Sequence, residues 1–177
     1  CAPAAGTYIG NLYNLKNIIT VDMGGTSFDV TLIKEGEPWF TDETDVGGVY
    51  RIRLPMVDVW TVGSGGGSIA WLGMGKTLHV GPDSAGADPG PACYMKGGTE
   101  PTCTDADVVL GYLDPSYYLG GELKIDADIS RKVIQEKIAD PLGLNVIEAA
   151  WAIFRIVNSN MTDAISAVSV RRGEDPK

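Results

Sequence analysis

Asp22-Met23-Gly24-Gly25-Thr26-Ser27-Phe28-Asp29 is the stretch on which the reading of this chain turns. Residues 17–23 (NIITVDM) precede its glycines as an apolar run suited to a buried strand, and residues 28–34 (FDVTLIK) follow as a second strand pattern. Gly24 and Gly25 let the backbone turn without a Cβ. The pattern predicts a β-hairpin with residues 24–27 at its tip and N–H groups pointing into an open cleft, where they can face an anion. Thr26 and Ser27 add hydroxyl donors. Asp22, delivered by the first strand, offers a carboxylate that can hold a magnesium ion, usually through its water shell. Asp22 is therefore the candidate catalytic and metal-binding residue, and Gly24, Gly25, Thr26 and Ser27 are candidate phosphate contacts. A Walker loop is a different object, because it needs Gly-Lys-Ser/Thr and a following helix. The plainer alternative is a tight hairpin whose glycines serve geometry alone.

Working outward, Glu35-Gly36-Glu37-Pro38 reads as a turn, and residues 39–41, 49–53 and 57–62 as short strands. Gly63-Ser64-Gly65-Gly66-Gly67-Ser68 supports two readings side by side. Gly65, Gly66 and Gly67 follow a strand and are rich in N–H groups, so they can cradle phosphate; equally, they can permit a close crossing of strands. Residues 69–72 and 77–80 read as strands joined by Gly73-Met74-Gly75-Lys76. Residues 81–98 form a long loop in which 84–91 reads as a lid or a subunit contact. The last third is helical. Thr104 is the expected cap of a helix over 106–113, with Asp107 completing a capping-box variant. A second helix begins at Asp128 or Ser130 and ends before Pro141. The strongest helix runs from Val146 to about Val170, with Ile153, Val157, Met161, Ala164, Ile165 and Val168 forming a packed stripe. Strands, a glycine loop and then helices indicate an α/β layer.

The chain has 177 residues, 44% of them apolar, enough for one domain with a real core. Its formal net charge of −9 and scattered basic residues argue against nucleic acid and anionic membranes as partners. A phosphate site here must then rely on backbone N–H groups and a metal. No apolar run approaches the roughly 18 residues of a membrane span, and no signal-peptide pattern opens the chain. Cys1, Cys93 and Cys103 are odd in number and not spaced as metal ligands; Cys93 and Cys103 are read as ordinary thiols, and the expected compartment is the cytoplasm. His79, the single histidine, is read as a surface or core-edge residue, and Asp105 and Asp107 as capping groups at a helix start. Trp39, Trp60, Trp71 and Trp151 are expected in a core or an interface. The chain opens without Met and stops straight after a long helical pattern, so both ends are read as cuts through a longer protein.

DMGGTSFDV resembles the second phosphate motif of the hydantoinase A/oxoprolinase family, which includes N-methylhydantoinase, 5-oxoprolinase and the larger acetone and acetophenone carboxylase subunits. TVGSGGGSIAW (61–71), VGPDSAGADPGPACY (80–94), GGTEPTCTDADVVLGYLDP (97–115), LGG (119–121) and RRGEDP (171–176) follow in the family's order, so the resemblance spans residues 22–176. It implies an α/β fold, a ribonuclease H-like half of an actin/hexokinase-like ATPase, with ATP in the cleft between two halves. Residues 1–177 then form a single partial domain, most of the second half, without the first DxGGT hairpin and the adenosine segment.

The same resemblance implies ATP and Mg²⁺ as cofactors and a hydantoinase B-type partner subunit. The implied activity is phosphorylation of an amide or carbonyl oxygen for hydantoinase/oxoprolinase-type ring opening of a cyclic amide. The alternative is a subunit of an ATP-dependent ketone (acetone/acetophenone) carboxylase, and a non-catalytic scaffold is the reading from another class. Two positions depart from the pattern. Trp60 stands where relatives usually carry His, and Ser27-Phe28 stands where hydantoinases and oxoprolinases tend to have Ser-Thr, the Phe form being nearer the carboxylase branch.

Overall fold

The computed structural model describes residues 1–46 and 49–176. They form two compact units: residues Cys1–Asp22, Asp29–Thr61 and those from Thr162 onward in the first, and Met23–Phe28 with Val62–Met161 in the second.

The first unit opens with α1 (Ala2–Tyr13), a helix that the sequence pattern does not announce. Gly6 and Gly10 weaken its helical signal but have a packing reason. A Cβ at Gly6 would lie 2.3 Å from Thr20 Cγ2, and one at Gly10 would lie 2.6 Å from Ile18 Cδ1, so the helix lies tightly on β1 (Ile18–Met23). β2 (Phe28–Lys34) pairs with β1 and, antiparallel, with β3 (Glu37–Pro38), in the register Ile33 opposite Pro38. Glu37 and Pro38, expected in a turn, are thus strand residues, and the turn is confined to Glu35 and Gly36. Val30, Thr31, Leu32 and Ile33 are all buried, so β2 is covered on both faces. Two short antiparallel ladders follow: β4 (Phe40–Thr41) with β7 (Met56–Val57), and β5 (Thr44–Val46) with β6 (Tyr50–Ile52). β8 (Trp60–Val62) returns to pair with β2. Ion pairs Lys34–Glu174 and Arg172–Asp58 tie the end of the chain to this unit.

The second unit is built on the antiparallel pair β9 (Ser68–Leu72) and β10 (Leu78–Ser84), with Ala70 opposite Val80 and a bulge before Ser84. β10 therefore takes four residues of the segment read as a long loop. Against the pair pack α2 (Cys103–Val109), α3 (Ala127–Ile134), a π-helical segment Gln135–Ala139 and the first part of α5 (Val146–Val168). Ala70, Val80, Ala106, Ile134, Ile138, Ile153 and Val157 form the centre of this core.

Two helix boundaries differ from expectation. Thr102, not Thr104, caps α2, in a reciprocal capping box with Asp105. Thr-Cys-Thr-Asp-Ala-Asp contains two overlapping Thr-x-x-Asp boxes, and the structure uses the one whose aspartate is buried. The helix that begins at Ala127 also does not stop before Pro141. It continues into α4 (Asp140–Leu142) and ends at Gly143 in the left-handed region. The π turn that precedes Pro141 widens the helix where a proline ring would otherwise strike a carbonyl one turn back.

The stripe on α5 is buried as expected at Ile153, Val157, Ala164 and Val168. None of the four tryptophans is a core residue: each is exposed by more than a third of its surface. Among the described residues no helix is long and apolar enough to cross a membrane.

Candidate functional site

The turn between β1 and β2 is a tip closed by one bond, in which Gly24 N–H donates to Ser27 O at 2.9 Å. Gly24, Gly25 and Thr26 are exposed, Ser27 is half-buried, and Phe28 is buried. The amides of Gly25, Thr26 and Ser27 and the hydroxyls of Thr26 and Ser27 have no hydrogen-bond partner among the described residues. Three consecutive unpaired N–H donors at an exposed turn are free to face an anion, as backbone groups in turns can. Buried amides are nearly always paired, so these three remain available only because the tip faces solvent.

Within the same unit the glycine loop braces this tip from behind. Gly66 N–H donates to Gly24 O at 3.0 Å and Gly67 N–H to Gly25 O at 2.6 Å. Gly65 N–H donates to the Ser68 hydroxyl at 2.8 Å. Side chains are excluded there by distance. A Cβ at Gly65 would stand 2.7 Å from Gly24 O, Gly25 C and Thr26 N, and one at Gly67 would stand 2.8 Å from Ser84 Oγ and 2.9 Å from Gly25 O. The amides of Gly65, Gly66 and Gly67 are engaged inside the protein, as a close crossing requires, while those of the tip are not.

The brace is anchored in turn. Gly66 O accepts from Thr104 N at 2.8 Å and from Thr104 Oγ1 at 2.9 Å, and Gly67 O accepts from Ala85 N at 2.9 Å. Ser84, the first residue of the segment read as a lid or contact, approaches Gly25 O at 3.4 Å and accepts from Gly86 N. Asp105, read in the sequence as a capping group, is fully buried and does more than cap. Its two oxygens accept from Ala92 N, Cys93 N, Thr102 N, Thr102 Oγ1 and Ser130 Oγ at 2.7–3.2 Å. One carboxylate so joins the segment before Cys93, the start of α2 and the first turn of α3. Nothing in the sequence signals this, because three of the five donors are backbone or serine groups more than ten residues away.

The other candidates separate from this cluster. In the first unit, Asp22 lies in β1 with an exposed side chain that has no partner among the described residues. Asp29 accepts the Thr61 hydroxyl at 2.6 Å, and Trp60 is 43% exposed on β8. In the second, His79 is exposed and stacks on Trp71 with ring centroids 4.5 Å apart. Cys93 and Cys103 are free, buried thiols, each pushed up to about 12 by burial and then by neighbouring carboxylates. Burial also raises Asp107 to about 6, against a smaller opposing effect of the Cys103 thiol. Among the described residues no group of three or more His, Cys, Asp or Glu is placed to hold a metal alone.

Comparison with known proteins gives a consistent picture. A family model described as hydantoinase/oxoprolinase matches residues 2–177. The alpha subunit of caprolactamase from Pseudomonas jessenii is 49% identical over 99% of this chain, and the gamma subunit of acetophenone carboxylase from Aromatoleum aromaticum is 46% identical over 99%. The match occupies 25% of each relative, so the chain spans about a quarter of their length. The nucleotide-free structure of acetone carboxylase, solved in work on ATP-dependent acetone carboxylation, superposes with a TM-score of 0.90 at 36% identity. That match covers 99% of this chain and 25% of the other. The fold is accordingly the mixed α/β arrangement of an ATPase-like protein.

Proposed function

The chain belongs to the hydantoinase/oxoprolinase family, and from that premise we propose that residues 1–177 contribute one phosphate-binding wall to the ATP site of an ATP-dependent hydrolase subunit. The observation that carries the reading is the tip, where the unpaired, consecutive amides of Gly25, Thr26 and Ser27 stand beside two free hydroxyls. In a chain of net charge −9, backbone donors of this kind are the economical way to hold a phosphate, since they bring no side-chain charge of their own.

Asp22, two residues before Gly24 along the chain, fits the demands of Mg²⁺. That ion keeps most of its water, takes other oxygens from phosphate and needs only one or two carboxylates, and Asp22 offers one that is exposed and unpartnered. When bound, Mg²⁺ neutralises charge that develops on the transferring phosphoryl group. The protein's share would be positioning: the tip would orient phosphate oxygens, the glycine loop would keep the tip in shape, and Asp22 would offer its carboxylate to the ion's water shell.

The reaction we assign is ATP-dependent activation of an amide or carbonyl oxygen, used with a hydantoinase B-type partner subunit to open a cyclic amide. The 49% identity to a caprolactamase subunit supports this choice. The second reading, a ketone carboxylase subunit, has the 46% identity to acetophenone carboxylase in its favour. Phe28, the form nearer the carboxylase branch, is buried. The test is ATP turnover by the subunit together with its partner, assayed with lactams and hydantoins in one series and with ketones plus bicarbonate in another. Turnover stimulated by a cyclic amide supports the assignment, stimulation by ketone and bicarbonate alone replaces it with the second reading, and stimulation by neither removes both.

A further inference from the structure

The hydrogen bonds behind the tip run in one direction, and their order matters. Thr104 Oγ1–H and Thr104 N–H both donate to Gly66 O. Gly66 O belongs to the peptide group whose N–H is that of Gly67, and this N–H donates to Gly25 O at 2.6 Å. Gly25 O in turn belongs to the peptide group whose N–H is that of Thr26, one of the three unpaired amides of the tip. A parallel step leads from Gly66 N–H to Gly24 O at 3.0 Å, whose peptide group carries the unpaired N–H of Gly25. Each bond accepted by a peptide oxygen polarises the N–H of the same peptide group, strengthening it by about 10–30% as a donor.

We propose that Thr104 is a positioning residue for phosphate, standing at the head of a two-peptide relay that orients and polarises the Thr26 N–H toward the anion. The proposal rests on the tip being a phosphate grip and adds a role for a side chain that touches no ligand. Thr104 suits the task because it is itself fixed. It is 5% exposed, and it is the second residue of α2, next to Asp105, whose carboxylate clamps that end of the helix with five donors. Movement at the head of the relay is thereby suppressed, and so is movement of the tip.

The experiment uses the complete subunit with its partner and compares the Kd for ATP with the inhibition constant of adenosine, which carries no phosphate. Thr104→Val keeps the shape and loses the hydroxyl, Thr104→Ser keeps the hydroxyl, and Thr26→Pro removes the tip amide at the relay's end. Loss of the hydroxyl's bond at the head of the relay should weaken ATP by roughly 1.3- to fivefold and leave adenosine unchanged, with Thr104→Ser close to the unmodified protein. A merely structural role would lower the fraction of competent sites without altering the ratio of the two constants. If Thr26→Pro shifts the ratio while Thr104→Val leaves it unchanged, the relay is wrong and the phosphate grip stands. If Thr26→Pro leaves the ratio unchanged, the grip itself is wrong and the relay falls with it. Should Thr104→Val not fold, Thr104→Ala carries the same comparison.

Discussion

Two glycine-to-alanine changes, three atoms' reach apart, should have opposite consequences. At Gly65 the new Cβ would meet three backbone atoms of the tip at 2.7 Å, about 0.7 Å short of the 3.4 Å at which contact becomes ordinary. Backbone cannot rotate away as a side-chain end can, so loop and tip must separate by roughly that amount. The Gly66 N–Gly24 O bond, at 3.0 Å, then passes beyond hydrogen-bonding range, and the Gly67 N–Gly25 O bond lengthens with it. Overpacking of this kind costs roughly 1–3 kcal/mol and each of the two weakened bonds about 1 kcal/mol, which together gives about 3–5 kcal/mol. Expressed as local opening, that is roughly a 150- to 5,000-fold faster amide exchange at Gly66 and Gly67. Gly25 is the counterpart. Nothing lies within 4 Å of its Cβ position, so Gly25→Ala should leave exchange at Gly66 and Gly67 unchanged. It should still weaken ATP binding, because the methyl group occupies space beside the free amides. Hydrogen–deuterium exchange and calorimetry on both variants give the answer. Unchanged protection in Gly65→Ala would refute the bracing argument, and undiminished ATP affinity in Gly25→Ala would refute the phosphate grip.

Further expectations follow from individual carboxylates. Asp22→Ala should reduce ATP turnover by orders of magnitude with no change in melting temperature; Asp29→Ala, which strands the Thr61 hydroxyl, should reverse the order, with a modest loss of stability and a milder loss of rate. Asp105→Asn places an amide nitrogen against N–H and O–H donors, and since leaving buried groups unsatisfied is expensive, a fall in stability of about 3 kcal/mol or more is expected by thermal or denaturant melting. Asp107 is protonated more readily when folded, so its burial opposes folding increasingly as pH rises from 3.8 to about 6 and by a constant amount above that. Asp107→Asn should therefore melt higher than the unmodified protein at pH 7 and match it near pH 4; parallel melting profiles would contradict this.

The hairpin and its tip were legible because strand pattern and paired glycines agree with one another. The stripe on α5 was legible for the same reason, since Ile153, Val157, Ala164 and Val168 recur at helical spacing and are buried. What escaped the sequence depends on contacts between distant residues. α1 was hidden by Gly6 and Gly10, whose use lies in the approach of Thr20 and Ile18. The start of α2 was misplaced at Thr104, because the overlapping Thr102 box is favoured only by the burial of Asp105. The glycine loop showed its donors but not their direction, because only the fold reveals that Gly66 and Gly67 point at Gly24 O and Gly25 O. The residues of the tip could be named in advance; the residues that stiffen it could not.

The loop and the tip touch backbone to backbone, and this makes their junction blind to most substitution. Side-chain chemistry cannot tune it; only a Cβ or a change of loop length can. The three atoms nearest a Cβ at Gly65 all belong to the tip, so a relative that retained the fold but abandoned the tip would be released from glycine there. Position 65 thus serves as a diagnostic when genomes are searched for silent paralogues: a larger residue paired with an intact hydrophobic core would mark a chain that has kept its architecture after its grip has gone.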